Sequence, residues 1–204
     1  MKPSLVPVML NVVLFDLDNT LIDRYAAFCE CVRSRFPDPA VQQELIVLDQ
    51  GGAGDREEFF RYWEKRNGGT MTQAIFGRLI AERILPDPGL LHELKQLTKR
   101  AKIGIITNGS SETQRAKIRA AGLDSVFAEN IWISAEVGSA KPDPRIFEAA
   151  LRGLEEPAEH CLHIGDREET DLQGAHGAGI RARIVKNVLT ASRLRALLDQ
   201  EFHT

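Results

Sequence analysis

Two aspartates at a spacing of two residues, Asp16 and Asp18, come at the end of an apolar run near the start of the chain. The run, residues 12–17, is almost continuously hydrophobic before the first aspartate, which is typical of a strand buried on both faces of a parallel sheet. Open parallel sheets bind ligands outside the carboxyl ends of their strands. The pair therefore predicts the mouth of a site. A turn rich in Asp and Asn is the alternative explanation, and this pair alone leaves it open.

A second predicted strand, residues 103–107, ends in groups that suit an anion. A threonine hydroxyl and free backbone N–H groups at the start of a helix can bind a phosphate. The residues are Thr107, Asn108 and Gly109. Ser111 and Gln114 have the spacing of a capping box for the helix that follows.

A lysine precedes another predicted helix. Asp143 is placed to cap this helix and Pro144 to occupy its first position, so Lys141 is held just before the helix start. Its ammonium group can act as a point charge for phosphate. A surface lysine in a loop is the alternative.

More carboxylates follow the predicted strand at residues 161–165. Asp166 comes directly after this strand, and Asp171 lies five residues later. Carboxylates gathered at one edge of a sheet repel one another unless a hard cation neutralises them, and Mg²⁺ suits such a site. His160 and His163 flank the same strand. Without cysteine or further histidine ligands at zinc spacing, both are predicted to be packing or surface residues.

Short apolar runs rich in Val and Ile alternate with helical patterns along most of the chain. This alternation predicts an α/β fold with a doubly wound parallel sheet and helices on both faces. The predicted strands are residues 12–17, 103–107, 131–134, 161–165 and 182–185. The predicted helices are residues 90–99, 112–121, 145–151, 171–178 and 191–202.

Residues 23–86 break this alternation, because they contain helical patterns and no convincing strand. A structureless loop of that length would be unusual inside a compact domain. The predicted helices here are residues 25–36, 41–49, 56–65 and 71–84. Asp55 with Glu58, and Thr70 with Gln73, have capping-box spacing ahead of the last two helices. The pattern therefore predicts a small helical insertion after the first strand.

The composition is that of a globular chain: 43% of its 204 residues are hydrophobic, 27% are charged and the formal net charge is −3. This balance gives no sign of a nucleic-acid or membrane-surface partner. Three cysteines, too few for a disulfide framework, predict free thiols in a reducing cytoplasm. They are Cys29, Cys31 and Cys161. The apolar start, from Met1 or Met9, contains Pro7 and Asn11, lacks a small-residue cleavage site and is too short to span a bilayer, which favours a cytoplasmic protein.

Four motifs resemble, in order, those of the haloacid-dehalogenase superfamily. They are Asp-Leu-Asp-Asn-Thr at 16–20, Thr-Asn-Gly at 107–109, Lys-Pro at 141–142, and Gly-Asp with a second Asp five residues on at 165–171. The resemblance spans nearly the whole core and leaves out the insertion. It implies a Rossmann-like core formed by residues 1–22 and 87–204, with residues 23–86 as a helical cap.

The resemblance implies a magnesium-dependent phosphatase that works through a phosphoaspartate. Asp16 is expected to be the nucleophile, and Asp18 to protonate the leaving alcohol and then activate water. Mg²⁺ is expected to bind the Asp16 carboxylate, the Asp18 backbone carbonyl and the Asp166 carboxylate. Asp171 is expected to orient the phosphate-binding lysine. The residues expected to bind the phosphate are Lys141, Thr107, Asn108 and Gly109.

Several functional alternatives stay open at this point. Dehalogenases of the superfamily lack the second aspartate, since halide leaves without a proton, so Asp18 favours a phosphatase. A phosphomutase or a catalytically silent binding module is also possible. The expected substrate is a small phosphorylated metabolite, such as a sugar phosphate, a nucleoside monophosphate or phosphoglycolate, and neither a monomer nor a homodimer is favoured. Plausible cap contacts are Arg24, Tyr25, Arg56, Arg61 and Trp63. For Trp63, packing between cap helices is the favoured role.

Overall fold

The computed structural model describes residues 10–202 and contains a five-stranded parallel sheet. The strands are β1 (Val12–Phe15), β2 (Lys102–Thr107), β3 (Ile131–Ile133), β4 (Cys161–Gly165) and β5 (Arg181–Ile184). Their order in the sheet is β3-β2-β1-β4-β5, and β1 pairs in parallel with β2 on one side and β4 on the other. The order in which strands are added therefore reverses beside β1, with β2 and β3 on one side and β4 and β5 on the other. This is the switch point where open α/β sheets bind ligands.

Helices cover the sheet and form the insertion. They are α1 (Arg24–Arg35), α2 (Pro39–Asp49), α3 (Arg56–Asn67), α4 (Gln73–Ala81), α5 (Pro88–Leu97), α6 (Ser111–Ala120), α7 (Asp124–Phe127), α8 (Ser134–Val137), α9 (Pro144–Leu154), α10 (Gln173–Gly177) and α11 (Ala191–Phe202). Gln50–Gly52 and Ala158–His160 form 3₁₀ turns, and Glu168–Leu172 forms a π-helical turn ahead of α10. Within the described residues, none of the helices is both long and apolar enough to cross a membrane.

Successive side chains of strand β1 point to opposite sides of the sheet, and both sides are covered by apolar residues. Val13 and Phe15 belong to a large apolar cluster that continues into the insertion. Val12 and Leu14 belong to a second cluster on the other face, together with Phe147. The two apolar layers explain why the sequence of β1 is continuously hydrophobic.

The insertion has an aromatic core. Trp63 is 0% exposed, and its ring centroid lies 4.8 Å from that of Phe36 and 6.0 Å from that of Phe76. The expected packing of Trp63 between cap helices is thus confirmed. Helix α4 also packs on α6 of the core, and a Cβ atom at Gly77 would lie 2.4 Å from Thr113 Oγ1. The domain boundaries at 22/23 and 86/87 stay a prediction, and the possible starts Met1 and Met9 lie outside the described residues.

The predicted strands are confirmed to within one or two residues, whereas some helix starts differ. The capping box predicted at Thr70 is wrong. Thr72 caps α4 instead, since its hydroxyl accepts from the Ile75 N–H. Met71 stays outside the helix because its N–H donates to the Glu64 side chain at 2.6 Å. Helix α4 therefore begins two residues later than the predicted helix at residues 71–84, and it also ends at Ala81, three residues before the predicted end.

Other helix starts show where a predicted cap holds and where it does not. Asp55 caps α3 and Asp143 caps α9, as the sequence predicts. The capping box predicted at Ser111 is wrong, because Ser110 caps α6 and Gln114 turns toward the sheet edge. The helix predicted at residues 171–178 begins instead as the π-helical turn.

Candidate active site

The four predicted motifs converge on one cavity of about 390 Å³ outside the carboxyl ends of the strands. Each is delivered by the end of an element: the first by β1, the second by β2, the third by the connection into α9 and the fourth by β4. The predicted site residues that line the cavity are Asp16, Asp18, Thr107, Asn108, Gly109, Lys141, Asp166 and Asp171. Parallel strands bring these residues together because all their carboxyl ends meet at one edge of the sheet.

Lys141 lies at the centre of the site. Its Nζ donates to Asp16 Oδ1 at 2.5 Å and to Asp171 Oδ1 at 2.6 Å, and the residue is 5% exposed. Burial alone would lower the pKa of Lys141, but the two carboxylates outweigh it and raise that pKa. The lysine therefore stays charged and is held against Asp16.

Asp171 is fixed by two further groups of the fourth motif region. It accepts from the Arg167 N–H at 3.1 Å, and its Oδ1 lies 2.9 Å from His163 Nε2. Burial raises the pKa of Asp171, but Lys141 and His163 lower it further, so the net shift is downward. His163 is fully buried, and burial lowers its pKa, so it is neutral. The expectation of a packing role for His163 is therefore incomplete, because it also hydrogen-bonds the residue that holds Lys141.

A cluster of carboxylates gives the site a donor set for a hard cation. Oxygens of Asp16, Asp166 and Asp171 all lie within 4.8 Å of one another. Burial, together with repulsion from nearby carboxylates, raises the pKa of Asp16 to about 7 against the pull of Lys141. Burial and the Asp171 charge likewise raise the pKa of Asp166 to about 6. Carboxylates held so close and so poorly solvated match the oxygen ligands of Mg²⁺, whose charge would lower both values.

The predicted phosphate-binding residues are already hydrogen-bonded to the protein. Thr107 Oγ1 accepts from Gln114 Nε2 at 2.5 Å. The Asn108 side chain binds both the backbone N–H and the backbone carbonyl of Lys141, each at 2.9 Å. The Gly109 N–H donates to Ser134 Oγ at 2.9 Å. Asn108 thus ties the second motif to the third, and its side chain serves to position Lys141.

Asp18 is bound by two residues of α6 that the sequence did not single out for this purpose. Lys117 Nζ donates to Asp18 Oδ1 at 2.6 Å and to Oδ2 at 2.5 Å, and Gln114 Nε2 donates to Oδ2 at 3.2 Å. Burial raises the pKa of Asp18, but Lys117 and Arg24 outweigh it, so the pKa is lowered and the group is a carboxylate here. Gln114 and Lys117 are three residues apart and share one helix face. That spacing, directly after the second motif, is the signal that could have identified them.

On the insertion side, two arginines share one buried aspartate. Arg24 forms a two-pronged ion pair with Asp49, with Nη2 donating to Oδ1 at 2.6 Å. Arg56 Nη1 donates to the same Oδ1 at 2.9 Å. Arg24 and Arg56 line the cavity, whereas Tyr25 and Arg61 are exposed outside it.

Comparison with known proteins agrees with this arrangement. The family model of haloacid dehalogenase-like hydrolases matches residues 10–179. The chain is 38% identical to pyrimidine 5'-nucleotidase YjjG of Escherichia coli (strain K12) over 149 residues, which cover 69% of this chain and 65% of that protein. It is 29% identical over 208 residues to the glyceraldehyde 3-phosphate phosphatase of Methanothermobacter thermautotrophicus, covering 89% of this chain and 88% of that enzyme. The aligned part is thus just under two thirds of the nucleotidase and most of the second relative.

Solved structures share the fold at lower sequence identity. YfnB from Bacillus subtilis, a HAD-hydrolase bound to magnesium, has a TM-score of 0.72 and 24% identity, covering 94% of this chain and 99% of that one. A 2-haloacid dehalogenase from Pseudomonas syringae has a TM-score of 0.60 and 23% identity, with the same coverage of 94% and 99%. The fold therefore accommodates more than one chemistry, and the residues of the cavity must decide between them. On the match of the family model to most of its length, this chain belongs to the haloacid dehalogenase-like hydrolase family.

Proposed function

We propose that this protein is a magnesium-dependent phosphatase that hydrolyses a small phosphorylated metabolite through a phosphoaspartate on Asp16. One observation carries the proposal. Lys141 is held against Asp16 at 2.5 Å, while a second carboxylate, Asp18, lines the same cavity two residues further on. A nucleophile beside a fixed cation, with a separate acid or base nearby, is the arrangement that in-line phosphoryl transfer needs.

In the first half of the reaction, Asp16 attacks phosphorus and the bond to the leaving alkoxide breaks. Lys141 neutralises charge on the transferring oxygens, and Thr107 offers its hydroxyl to them. Asp171 and Asn108 act on Lys141 from either side, through its ammonium group and its backbone. Because these contacts exist before substrate arrives, the site does not have to reorganise during the reaction.

Asp18 handles the protons of both halves. Because its pKa is lowered, Asp18 is ionised. The Asp18 carboxylate can therefore take a proton from the water that attacks the phosphoaspartate. Protonation of the leaving alkoxide requires Asp18 to take up a proton first. An approaching phosphate dianion favours that uptake, since a nearby negative charge raises the pKa of a carboxyl group.

Asp16 and Asp166 would hold Mg²⁺, with the Asp18 backbone carbonyl as the expected third protein ligand. The metal would offset the repulsion between these carboxylates and the phosphate and would stabilise charge on the transferring oxygens. Asp171 lies close enough to contribute as well, but its ion pair with Lys141 and its contact with His163 make a supporting role the better proposal.

The presence of Asp18 in the cavity supports phosphatase over dehalogenase chemistry. Release of halide needs no proton, whereas release of an alkoxide does. The two relatives described above, a nucleotidase and a glyceraldehyde 3-phosphate phosphatase, support the same choice.

The test is turnover of p-nitrophenyl phosphate with Mg²⁺ and with EDTA, for the wild type and for Asp16→Asn. We expect turnover that depends on Mg²⁺, and a loss of at least about 10³-fold in kcat for the variant, because an amide cannot act as the nucleophile. Asp124→Asn, on the exposed surface, is the matched control and should turn over like the wild type. Undiminished activity in a folded Asp16→Asn variant would remove Asp16 as the nucleophile.

A further inference from the structure

The insertion places a positive charge in the cavity that the phosphatase reaction leaves unexplained. Asp49 is 0% exposed and carries one negative charge, yet both Arg24 and Arg56 contact it. Arg24 already pairs with both oxygens of Asp49, so that pair is neutral. Arg56 then adds a charge that this cluster does not balance.

Arg56 is accessible from the cavity as well as fixed. Its side chain is 25% exposed, compared with 5% for that of Arg24, and it lines the cavity. Arg56 donates Nη1 to Asp49 and Nη2 to the Gly52 carbonyl at 2.7 Å. A guanidinium carries five N–H donors, so these two bonds leave donors for a ligand.

The guanidinium is also held in one orientation. Its Cζ atom lies 5.6 Å from the ring centroids of both Phe59 and Phe76, and Phe76 lines the cavity as well. Two aromatic rings and two hydrogen bonds restrict the rotamers of a side chain that would otherwise lose entropy on binding. A rotamer fixed in this way is typical of a preorganised binding group.

The other cations of the cavity are committed differently. Lys141 is paired with Asp16 and Asp171, and Lys117 is paired with Asp18. Arg167, another cation of the described lining, follows Asp166 at the carboxylate cluster. On the insertion side, Arg24 is paired with both oxygens of Asp49, so Arg56 is the accessible cation there, where the part of the substrate beyond the phosphate must lie.

We propose that Arg56 recognises a second anionic group on the leaving alcohol, so that the preferred substrates are phosphate esters that carry a carboxylate or a second phosphate. This inference rests on the proposed phosphatase function and names the substrate class of the same cavity. The Asp49–Arg24 pair supports Arg56 from behind, and Phe76 provides the apolar wall beside it. A planar guanidinium suits both anions, because both accept two parallel hydrogen bonds.

The experiment compares kcat/KM for phosphate esters of similar size and different charge. Glycerol 3-phosphate is the neutral case, 3-phosphoglycerate carries a carboxylate, and propane-1,3-diol bisphosphate carries a second phosphate. For the wild type we expect at least one of the two anionic esters to exceed the neutral ester by about 10-fold or more, as a charge-assisted hydrogen bond allows. Which of the two is favoured distinguishes a carboxylate from a phosphate as the natural group.

Arg56→Gln should reduce the ratio of anionic to neutral ester by about 10-fold or more, and Arg56→Lys should restore part of it. Arg61→Gln, on the exposed face of the same helix, is the matched control and should keep the wild-type ratio. Thermal unfolding of each variant shows whether it is folded. Three results would each overturn the inference. The wild type could show no preference for the anionic esters over the neutral one, or a higher kcat/KM for uridine 5'-monophosphate than for either anionic ester. The third result is an unchanged ratio of anionic to neutral ester in Arg56→Gln. Absence of turnover with every ester and with p-nitrophenyl phosphate would instead count against the phosphatase function itself.

Discussion

The ion pair between Lys117 and Asp18 gives the most direct test of how the site handles protons. We consider Lys117→Met, which keeps the length and apolar stem of the lysine and removes its charge. In the wild type, Lys117 donates to both oxygens of Asp18 and is 3% exposed. Without it, Asp18 keeps the bond from Gln114, which leaves the carboxylate free to rotate away from the leaving group.

Removing one partner of a buried ion pair usually costs about 3–5 kcal/mol, and we expect the loss in the free energy of unfolding here to lie below that range. Lys117 lowers the pKa of Asp18 and so favours the charged carboxylate. For Lys117 itself, burial outweighs the attraction of Asp18 and lowers the lysine's pKa, which disfavours the charged ammonium. The two contributions oppose each other. Asp18, whose side chain is 26% exposed, can also be solvated when the lysine is gone.

The expected kinetic effect depends on the leaving group. An alkoxide needs proton donation, so kcat for glycerol 3-phosphate should fall by about 10²-fold or more, the lower end of what a general acid contributes. The p-nitrophenolate ion leaves without a proton, so its ester should lose less, by about 10-fold or under. The acid limb of the pH–rate profile should also move to higher pH, because Asp18 without Lys117 protonates at higher pH and loses its ability to activate water.

Two further variants complete this experiment. Lys117→Arg should recover part of the activity on the alkyl ester, since it restores a cation beside Asp18. Arg119→Met, exposed on the same helix, should behave like the wild type. Equal losses with both esters in Lys117→Met would refute the positioning of Asp18 by Lys117 and leave only a general effect on the cavity.

Three other predictions concern stability and thiol chemistry. Trp63→Ala should lower the free energy of unfolding by about 3–5 kcal/mol in urea titrations, since the ring is 0% exposed in the aromatic core, and a loss below about 1 kcal/mol would contradict that packing. Burial raises the pKa of Asp49, but Arg24 and Arg56 lower it by more, so the net shift is downward. The ion pairs of Asp49 therefore stabilise the fold above about pH 4, the usual pKa of an aspartate. This stabilisation is lost as the pH falls through the lowered pKa. The stability gap between wild type and Asp49→Asn should therefore shrink in acid, and a gap independent of pH would disprove the linkage. Under native conditions a thiol reagent should modify the half-buried Cys29 in preference to Cys31 and Cys161. The latter two are buried, and burial raises their pKa values, that of Cys161 to about 12. Mass spectrometry counts the labels, and rapid native labelling of Cys161 would rule out its burial.

The sequence predicted the core of the site because the ends of strands can be recognised locally and lie together in the folded sheet. An apolar run followed by Asp16, Thr107 or Asp166 marks the carboxyl end of a strand. In a parallel sheet such ends meet at one edge whatever the details of packing. Lys141 could be identified because a helix was predicted to start just after it, and the structure has Asp143 and Pro144 at that start.

The exact helix starts were less predictable, since neighbouring residues can serve the same purpose. Ser110 and Ser111 are both able to cap α6, and the structure uses the first, which leaves Gln114 to bind Thr107 and Asp18. A spacing rule does not distinguish two adjacent serines, because the choice depends on where the chain leaves the sheet.

The α/β class, the helical insertion and the residues at the strand ends all follow from local patterns in the amino-acid sequence. Which charged side chains meet depends on the tertiary packing. Lys117 lies 99 residues from Asp18, and Arg24 lies 25 residues from Asp49. Nothing in local spacing encodes such pairs, since they arise when α6 and the insertion pack over the sheet edge and bury the charges. Burial then makes each charge depend on the partner that packing supplies.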